Sequence, residues 1–250
     1  MRSTVRLLAM LLAMVAARCV AQGGPPLLTD DPGTPGNRHW EINLGATTEI
    51  YEGIRDYELP LADFNYGWGE HIQLKYQFPL LVRDVNGTTQ AELGDGVFGV
   101  KWRFLDEDKH GLNVSTYPQF SFNEPGPRRL VDRGAQMLLP VEVSKTLGKF
   151  ELNWEGGYNI RQYAGDELLF GFAAAHEATP KLELLAEVHS VPDRTFSENE
   201  FVFEIGGRRK FSPHYVLLCA FGRGLPGSTG NQPSFLGFAG IQLLLGGKKD

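Results

Sequence analysis

Apolar and polar residues alternate with a period of two along most of the chain after residue 38. In the first such segment Trp40, Ile42 and Leu44 share one face, while Glu41 and Asn43 share the other. Successive side chains of a β-strand point to opposite sides, so the pattern predicts strands with one apolar and one polar face. It predicts twelve strands, at about 39–51, 59–68, 70–80, 95–105, 111–122, 136–146, 149–161, 166–178, 181–190, 199–211, 214–222 and 235–245.

The connections between these strands alternate between short and long. The short ones are Trp68-Gly69, Asp106 to His110, Leu147-Gly148, Thr179-Pro180 and Ser212-Pro213, and the long ones are 52–58, 81–94, 123–135, 162–165, 191–198 and 223–234. In an antiparallel meander, successive connections fall at opposite ends of the sheet. The sequence therefore predicts an all-β, up-and-down antiparallel barrel with one tight end and one end bearing loops, the layout of an outer-membrane barrel.

The first residues read as a secretory signal peptide, residues 1–21. Arg2 and Arg6 give the positive start, Leu7 to Ala17 the apolar stretch, and Cys19-Val20-Ala21 the small residues before cleavage. Residues 22–38 are rich in Gly, Pro and Asp without periodicity and predict an irregular periplasmic arm that plugs the lumen. Residues 39–250 form the predicted barrel.

Charge and cysteine content exclude several classes of protein. The chain has 24 Lys and Arg against 30 Asp and Glu, a formal net charge of −6, which gives no support for a nucleic-acid partner. Of its two Cys, one lies in the predicted signal peptide, so no intramolecular disulfide is expected after cleavage.

Alternation alone does not distinguish a membrane barrel from a soluble one, which turns its apolar face inward. The export signal, the strand lengths and the charges on the polar faces favour the membrane barrel. Aromatic residues near the strand ends also favour it, because membrane barrels carry aromatic girdles there. These residues are Trp40, Trp68, Trp102, Phe104, Phe122, Phe150, Phe211 and Phe235.

The polar faces then supply the candidate functional residues, the charged side chains that would line a wet lumen. The predicted lumen-facing residues are Glu41, Glu49, His71, Lys75, Lys101, Arg103, Glu142, Glu151, Glu155, Arg161, Glu183, Glu187, Glu204 and Arg208. Asp30 and Asp31, in the arm, are interpreted as turn residues rather than calcium ligands.

The remaining motifs give little support for cofactor binding, metal binding or catalysis. Gly94 to Gly99 matches a dinucleotide fingerprint but opens a strand, so no cofactor is predicted. The six His are scattered, which predicts no metal site. A hydrolase built on His189 with Ser190, Ser115 or Ser121 is a minor alternative, because adjacent strand residues point to opposite faces. We therefore expect no enzyme activity.

Three segments resemble a family of outer-membrane transporters named after the MetA pathway of phenol degradation. They are residues 26–43, from Pro26-Leu27-Leu28-Thr29-Asp30-Asp31 to Trp40-Glu41-Ile42-Asn43, residues 63–76, from Asp63-Phe64-Asn65-Tyr66-Gly67-Trp68 to Tyr76, and Gly94-Asp95-Gly96. The resemblance implies an outer-membrane barrel with a transport role. It supplies no catalytic or binding residues.

The expected function is passive passage of small solutes, aromatic or otherwise apolar ones among them, through a barrel in the bacterial outer membrane. The expected partners are membrane lipid and a small-molecule solute. The alternatives are a structural or adhesion barrel with a closed lumen, and a soluble exported barrel that binds a lipid-like ligand. The substrate and the oligomeric state stay open at this point.

Overall fold

The computed structural model describes residues 24–131, 134–226 and 232–246. The predicted signal peptide, residues 132–133 and 227–231, and the residues after 246 lie outside the described residues. The described chain forms one short helix, α1 (Glu107–His110), and fourteen strands. These are β1 (Trp40–Tyr51), β2 (Ile54–Trp68), β3 (Ile72–Val85), β4 (Thr88–Leu93), β5 (Gly96–Leu105), β6 (Asn113–Thr116), β7 (Gln119–Phe122), β8 (Gln136–Leu147), β9 (Phe150–Arg161), β10 (Glu167–Thr179), β11 (Leu182–Pro192), β12 (Asn199–Lys210), β13 (Tyr215–Gly224) and β14 (Phe235–Leu245).

The strands close into an antiparallel barrel. Strand β1 pairs with β14 from Trp40↔Leu245 to Ile50↔Phe235, which joins the two ends of the sheet. Strand β4 pairs only with the far end of β3, while β6 and β7 share one position between β5 and β8. The circuit therefore has twelve positions, and the predicted twelve-stranded antiparallel barrel is confirmed.

Two predicted long loops are instead strand. Strand β2 begins at Ile54, so the loop expected over 52–58 is a turn at Glu52 and Gly53. The register shift between Glu58 and Leu61 interrupts the alternation there, so the pattern does not predict residues 54–58 as strand. The loop expected over 81–94 is the end of β3 and all of β4, joined by Asn86 (φ 51°) and Gly87 (φ 88°). Asn-Gly is the usual pair for a two-residue hairpin turn with both φ values positive, and this signal was missed.

The strand predicted over 111–122 is broken in two. It pairs as β6 up to Thr116 and resumes as β7 at Gln119, with Tyr117 and Pro118 between them. Pro118 has no backbone N–H and cannot donate to the ladder, which explains the gap. The described residues contain no helix long and apolar enough to cross a membrane.

The outer surface of the barrel is apolar. On β9 the Trp154 side chain is 40% exposed, whereas its neighbour Glu155, pointing inward, is 6% exposed. Large apolar side chains exposed along the middle of the strands include Leu44, Val100, Val141, Phe172, Leu184, Ile205, Leu217 and Ile241. Apolar surface of this extent is what lipid contact requires, and the soluble barrel with an inward apolar face does not fit it.

The two ends of the barrel differ as the connections predict. Connections 69–71, 106–112, 148–149, 180–181 and 211–214 form the end that we call the turn end, where β1 also begins. The described residues of the connections at 123–135, 162–166, 193–198 and 225–234 lie with the β3–β4 hairpin at the opposite end, the loop end. Of the predicted aromatic girdle, Trp40, Trp68, Trp102, Phe104, Phe150, Phe211 and Phe235 are exposed outward.

Candidate functional site

The interior of the barrel carries a dense set of ionisable side chains. Seven of the fourteen predicted lumen residues are buried. They are Glu41, Lys101, Glu142, Glu155, Glu187, Glu204 and Arg208. Glu142 lies opposite Glu155 across β8 and β9, and Glu187 opposite Glu204 across β11 and β12, so carboxylates face one another at the same level.

The other seven are partly exposed and lie mostly nearer the two ends. At the turn end, His71 Nε2 lies 3.1 Å from Asp106 Oδ2, and Arg103 Nε donates to Asp106 Oδ1 at 3.1 Å. The hydrogen bond with His71, together with the Lys109 ammonium and the charge of Arg103, lowers the pKa of Asp106 to about 2 and outweighs the opposing effect of burial. The remaining five are Glu49, Lys75, Glu151, Arg161 and Glu183.

The arm, described from Gly24 to His39, lies inside the barrel. Leu27 packs with Ala173, Ala175, Leu185 and Ala220, inward residues of β10, β11 and β13. Small alanine side chains leave the space into which the larger Leu27 fits. Burying a leucine side chain this way is worth roughly 1.5–3 kcal/mol.

Carboxylates of the wall hold the arm through its backbone. The N–H groups of Leu28 and Thr29 donate to the two oxygens of Glu187, both at 2.8 Å, and the N–H of Asp30 donates to Glu155 at 2.9 Å. Hydrogen bonds to a charged acceptor contribute about 1.5–3 kcal/mol, more than neutral ones. The same wall therefore fixes three successive residues of the arm.

Lys101, on β5, connects the arm to Glu142 on β8. Its ammonium lies 2.8 Å from Asp30 Oδ1 and 3.3 Å from Glu142 Oε2, and it also donates to the carbonyl of Asp31. The Tyr117 ring centroid is 4.5 Å from the same nitrogen. Burial raises the pKa of the Asp30 carboxyl, but Lys101 outweighs this effect and the net shift is downward.

Arg208 holds the first described residues of the arm, near the turn end. Its guanidinium donates to the carbonyls of Gly24 at 3.1 Å and Pro25 at 3.3 Å, and to Glu183 at 3.2 Å. The alternation predicts that Arg208 faces the lumen, but it does not predict these partners. Its carbonyl partners lie 183 and 184 residues away in sequence, so no local pattern reveals them.

The arm enters at the turn end between β1 and β2. Arg38 N–H donates to the Gly67 carbonyl at 2.9 Å, and Gly67 N–H donates to the His39 carbonyl at 2.9 Å. A Cβ on Gly67 would lie 1.8 Å from the Gly36 carbonyl oxygen, so only glycine permits this close approach.

The wall formed by β1, β2 and β3 carries amides and carboxylates that bond one another. Asn43 Nδ2 donates to Glu41 at 3.2 Å and to Asp63 at 3.0 Å, and Asn65 Nδ2 donates to Asp63 at 2.9 Å. Gln73 Nε2 donates to Asn65 at 2.7 Å and to the Tyr117 hydroxyl at 2.9 Å. Four further lumen residues were not predicted, although the alternation places them on the polar face of their strands: Asn43, Asp63, Asn65 and Gln73.

A vestibule of about 530 Å³ opens above the arm towards the loop end. One part of its lining is apolar and includes Leu61, Leu138, Leu236 and Phe238, and another part is acidic, with Glu49, Glu58 and Glu204. The interior is thus less uniformly ionic than the alternation predicts, since Leu61 and Phe238 pack inside with Val216 and Leu218.

The described hydrogen bonds do not join the serines considered for catalysis to His189. Ser115 donates to Glu142 at 2.5 Å and Ser190 to Asn199 at 2.7 Å, and His189 Nε2 has no hydrogen-bond partner in the described part of the chain. Within residues 24–131, 134–226 and 232–246, no three His, Cys, Asp or Glu side chains come close enough to hold a metal ion.

Comparisons with known proteins identify similar barrels at low sequence identity. An outer membrane channel from Pseudomonas putida F1 superposes with a TM-score of 0.68 at 12% identity, covering 90% of this chain and 100% of that one. The NanC porin gives 0.60 at 8% identity, covering 81% of this chain and 98% of the porin. The translocator domain of the autotransporter NalP from Neisseria meningitidis gives 0.53 at 12% identity, covering 97% of each chain.

No family model and no curated protein matches the sequence. The structural neighbours are bacterial outer-membrane barrels, and at these identities they show the fold alone. They show that the fold is that of an outer-membrane β-barrel.

Proposed function

We propose that this protein is an outer-membrane channel for small solutes whose lumen is narrowed by its own N-terminal arm. The observation that carries the proposal is the arm inside a closed twelve-stranded barrel, bound through Glu187, Glu155, Lys101 and Arg208. A structural or adhesion barrel needs a closed lumen but has no need for a polar one.

The vestibule supports passage of solutes with an apolar part. Its volume of about 530 Å³ lies in the range of small-molecule sites, and leucines line it together with carboxylates. We infer that the loop end faces the outside and the turn end the periplasm, as in barrels with short periplasmic turns. A solute would enter the vestibule from outside and meet the arm below it.

Deleting residues 22–38 behind the signal peptide tests the proposal. The deletion removes the obstruction, so the single-channel conductance of the purified protein in planar bilayers is expected to rise severalfold. Adding a synthetic peptide of residues 22–38 to the turn-end side of the deletion variant should lower it again. The deletion variant must still show heat-dependent migration on gels, the sign of a folded barrel.

The outcomes separate the candidates. A full-length protein and a deletion variant that both conduct equally would reject the arm as the obstruction. A folded deletion variant that conducts no ions would support the structural barrel instead.

A further inference from the structure

A second, much smaller cavity lies beside the arm, against the wall of β1, β2 and β3. Its volume is about 20 Å³, close to the space of one water-sized particle. It shares Gly24, Pro25, Asp30 and Lys75 with the lining of the vestibule and reaches Glu41, one residue from the turn end of β1. It is therefore placed between the vestibule and the turn end.

Carboxylate oxygens without a donor line this cavity. Asp31 Oδ2, Glu41 Oε2 and Asp63 Oδ1 are each buried and accept no hydrogen bond from any described residue. The three residues are more than nine-tenths buried. Lys75 Nζ lies 3.7 Å from Asp63 Oδ1, beyond hydrogen-bond distance.

Most amide N–H groups of the same wall already donate to neighbouring side chains. The described hydrogen bonds use the amide nitrogens of Asn43, Asn65 and Gln73 on neighbouring side chains, and Asn43 Oδ1 is left as another acceptor. A buried acceptor that lacks a donor costs about 1–3 kcal/mol. Cations and proton donors relieve that cost, whereas an anion adds repulsion.

The balance of charge around the cavity is negative. Its lining has four carboxylates, Asp30, Asp31, Glu41 and Asp63, and two ammonium groups, Lys75 and Lys101. Lys101 is already engaged by Asp30 and by Glu142 outside the cavity.

We infer that the passage beside the docked arm conducts small monovalent cations, one at a time, and that Glu41 and Asp63 determine this selectivity. The inference rests on the proposed channel function and assigns the charge class of what passes while the arm is in place. Acidic side chains at a constriction select cations in the same way in other channels.

The reversal potential of the full-length protein in a planar bilayer, with KCl more concentrated on one side, tests the inference. We expect potassium to be at least about threefold more permeant than chloride, since carboxylates raise the local cation concentration. Glu41→Gln and Asp63→Asn should each lower that ratio at least about twofold, since each removes one negative charge from the passage. Glu52→Gln, the same change at the exposed β1–β2 turn, should leave it unchanged.

The possible results distinguish failure of the cation-selectivity inference from failure of the channel proposal. Conduction with chloride favoured, or a ratio equally affected by all three variants, would overturn cation selection and leave the channel proposal intact. Absence of any conductance in full-length protein and arm deletion alike would overturn the channel proposal itself. The reversal potential of the unmodified protein decides the inference even where a variant does not fold.

Discussion

The arm faces two parts of the lumen wall, and only one of them binds it through many hydrogen bonds. On the side of β8 to β12, Glu187 and Glu155 accept its backbone N–H groups and Arg208 donates to its carbonyls. On the side of β1 to β3, the polar side chains bond one another, and Glu41 and Asp63 keep unpaired oxygens towards the cavity. We call the first side the docking wall and the second the passage wall.

Carboxylates of the same lumen therefore have two roles: those of the docking wall bind the arm, and those of the passage wall face the cavity. The glutamates of the docking wall accept hydrogen bonds from backbone N–H groups of the arm. The carboxylates of the passage wall each keep one oxygen that accepts no described hydrogen bond. Docking-wall substitutions should therefore move the arm, and passage-wall substitutions should change which ions pass.

Lys101→Met should have the largest effect because it leaves Asp30 and Glu142 without their shared cation. Breaking a buried ion pair from one side costs about 3–5 kcal/mol in the free energy of unfolding. Urea unfolding of the barrel in micelles, followed by tryptophan fluorescence, measures it. Lys109→Met should cost about 0–1 kcal/mol in the free energy of unfolding, because the Lys109 side chain, which pairs with Asp106, is 69% exposed. Equal costs for both variants would refute the role given to Lys101.

Glu187→Ala should release the arm, because two backbone donors lose their charged acceptor. A loss of about 1.4 kcal/mol in docking raises the undocked fraction about tenfold. The readout is maleimide labelling of Thr29→Cys in a Cys219→Ser background, since Cys219 is exposed. Glu204→Ala removes the carboxylate directly opposite and serves as the control. Similar labelling rates in both variants would show that the arm is held elsewhere.

Gly171→Ala should displace the arm by crowding. A Cβ at Gly171 would lie 2.5 Å from Thr29 Oγ1, whereas one at Gly156 on the neighbouring strand meets nothing within 4 Å. Overpacking of this kind costs about 1–3 kcal/mol, so Gly171→Ala should raise conductance and Gly156→Ala should not. Unchanged conductance in Gly171→Ala would mean that the arm tolerates the shift or does not limit flow.

The strands and their faces were predictable because the period of two is local. Trp154 and Glu155, adjacent in sequence, point to opposite sides as the alternation predicts. The docking of the arm was not predictable, because Asp30 bonds Glu155 and Leu28 bonds Glu187 across 125 and 159 residues. Asp30 and Asp31 looked like turn residues, and Asp31 does bond the N–H of Gly33 two residues on. Only the closed barrel brings Lys101 beside them.

The smallest expected effect concerns the pH dependence of ion selectivity. Burial raises the pKa of the Asp31 carboxyl to about 6, against the opposing influence of Lys101. Asp31 therefore carries its negative charge above about pH 6 and loses it below, while Lys101 keeps the pKa of Asp30 low. The other ionisable groups lining the cavity are Glu41, Asp63, Lys75, Lys101 and Tyr117. Potassium selectivity should fall by up to about twofold from pH 7 to pH 5, since one charge leaves the passage.

Asp31→Asn tests which group titrates, because it keeps the oxygen that bonds Gly33 and removes only the charge. Reversal potentials measured at pH 7, 6 and 5 should change less in this variant than in the unmodified protein. If both proteins show the same profile, the titrating group lies on the passage wall itself and Asp31 does not contribute. The arm would then narrow the passage without setting its charge, and selection would belong to Glu41 and Asp63 alone.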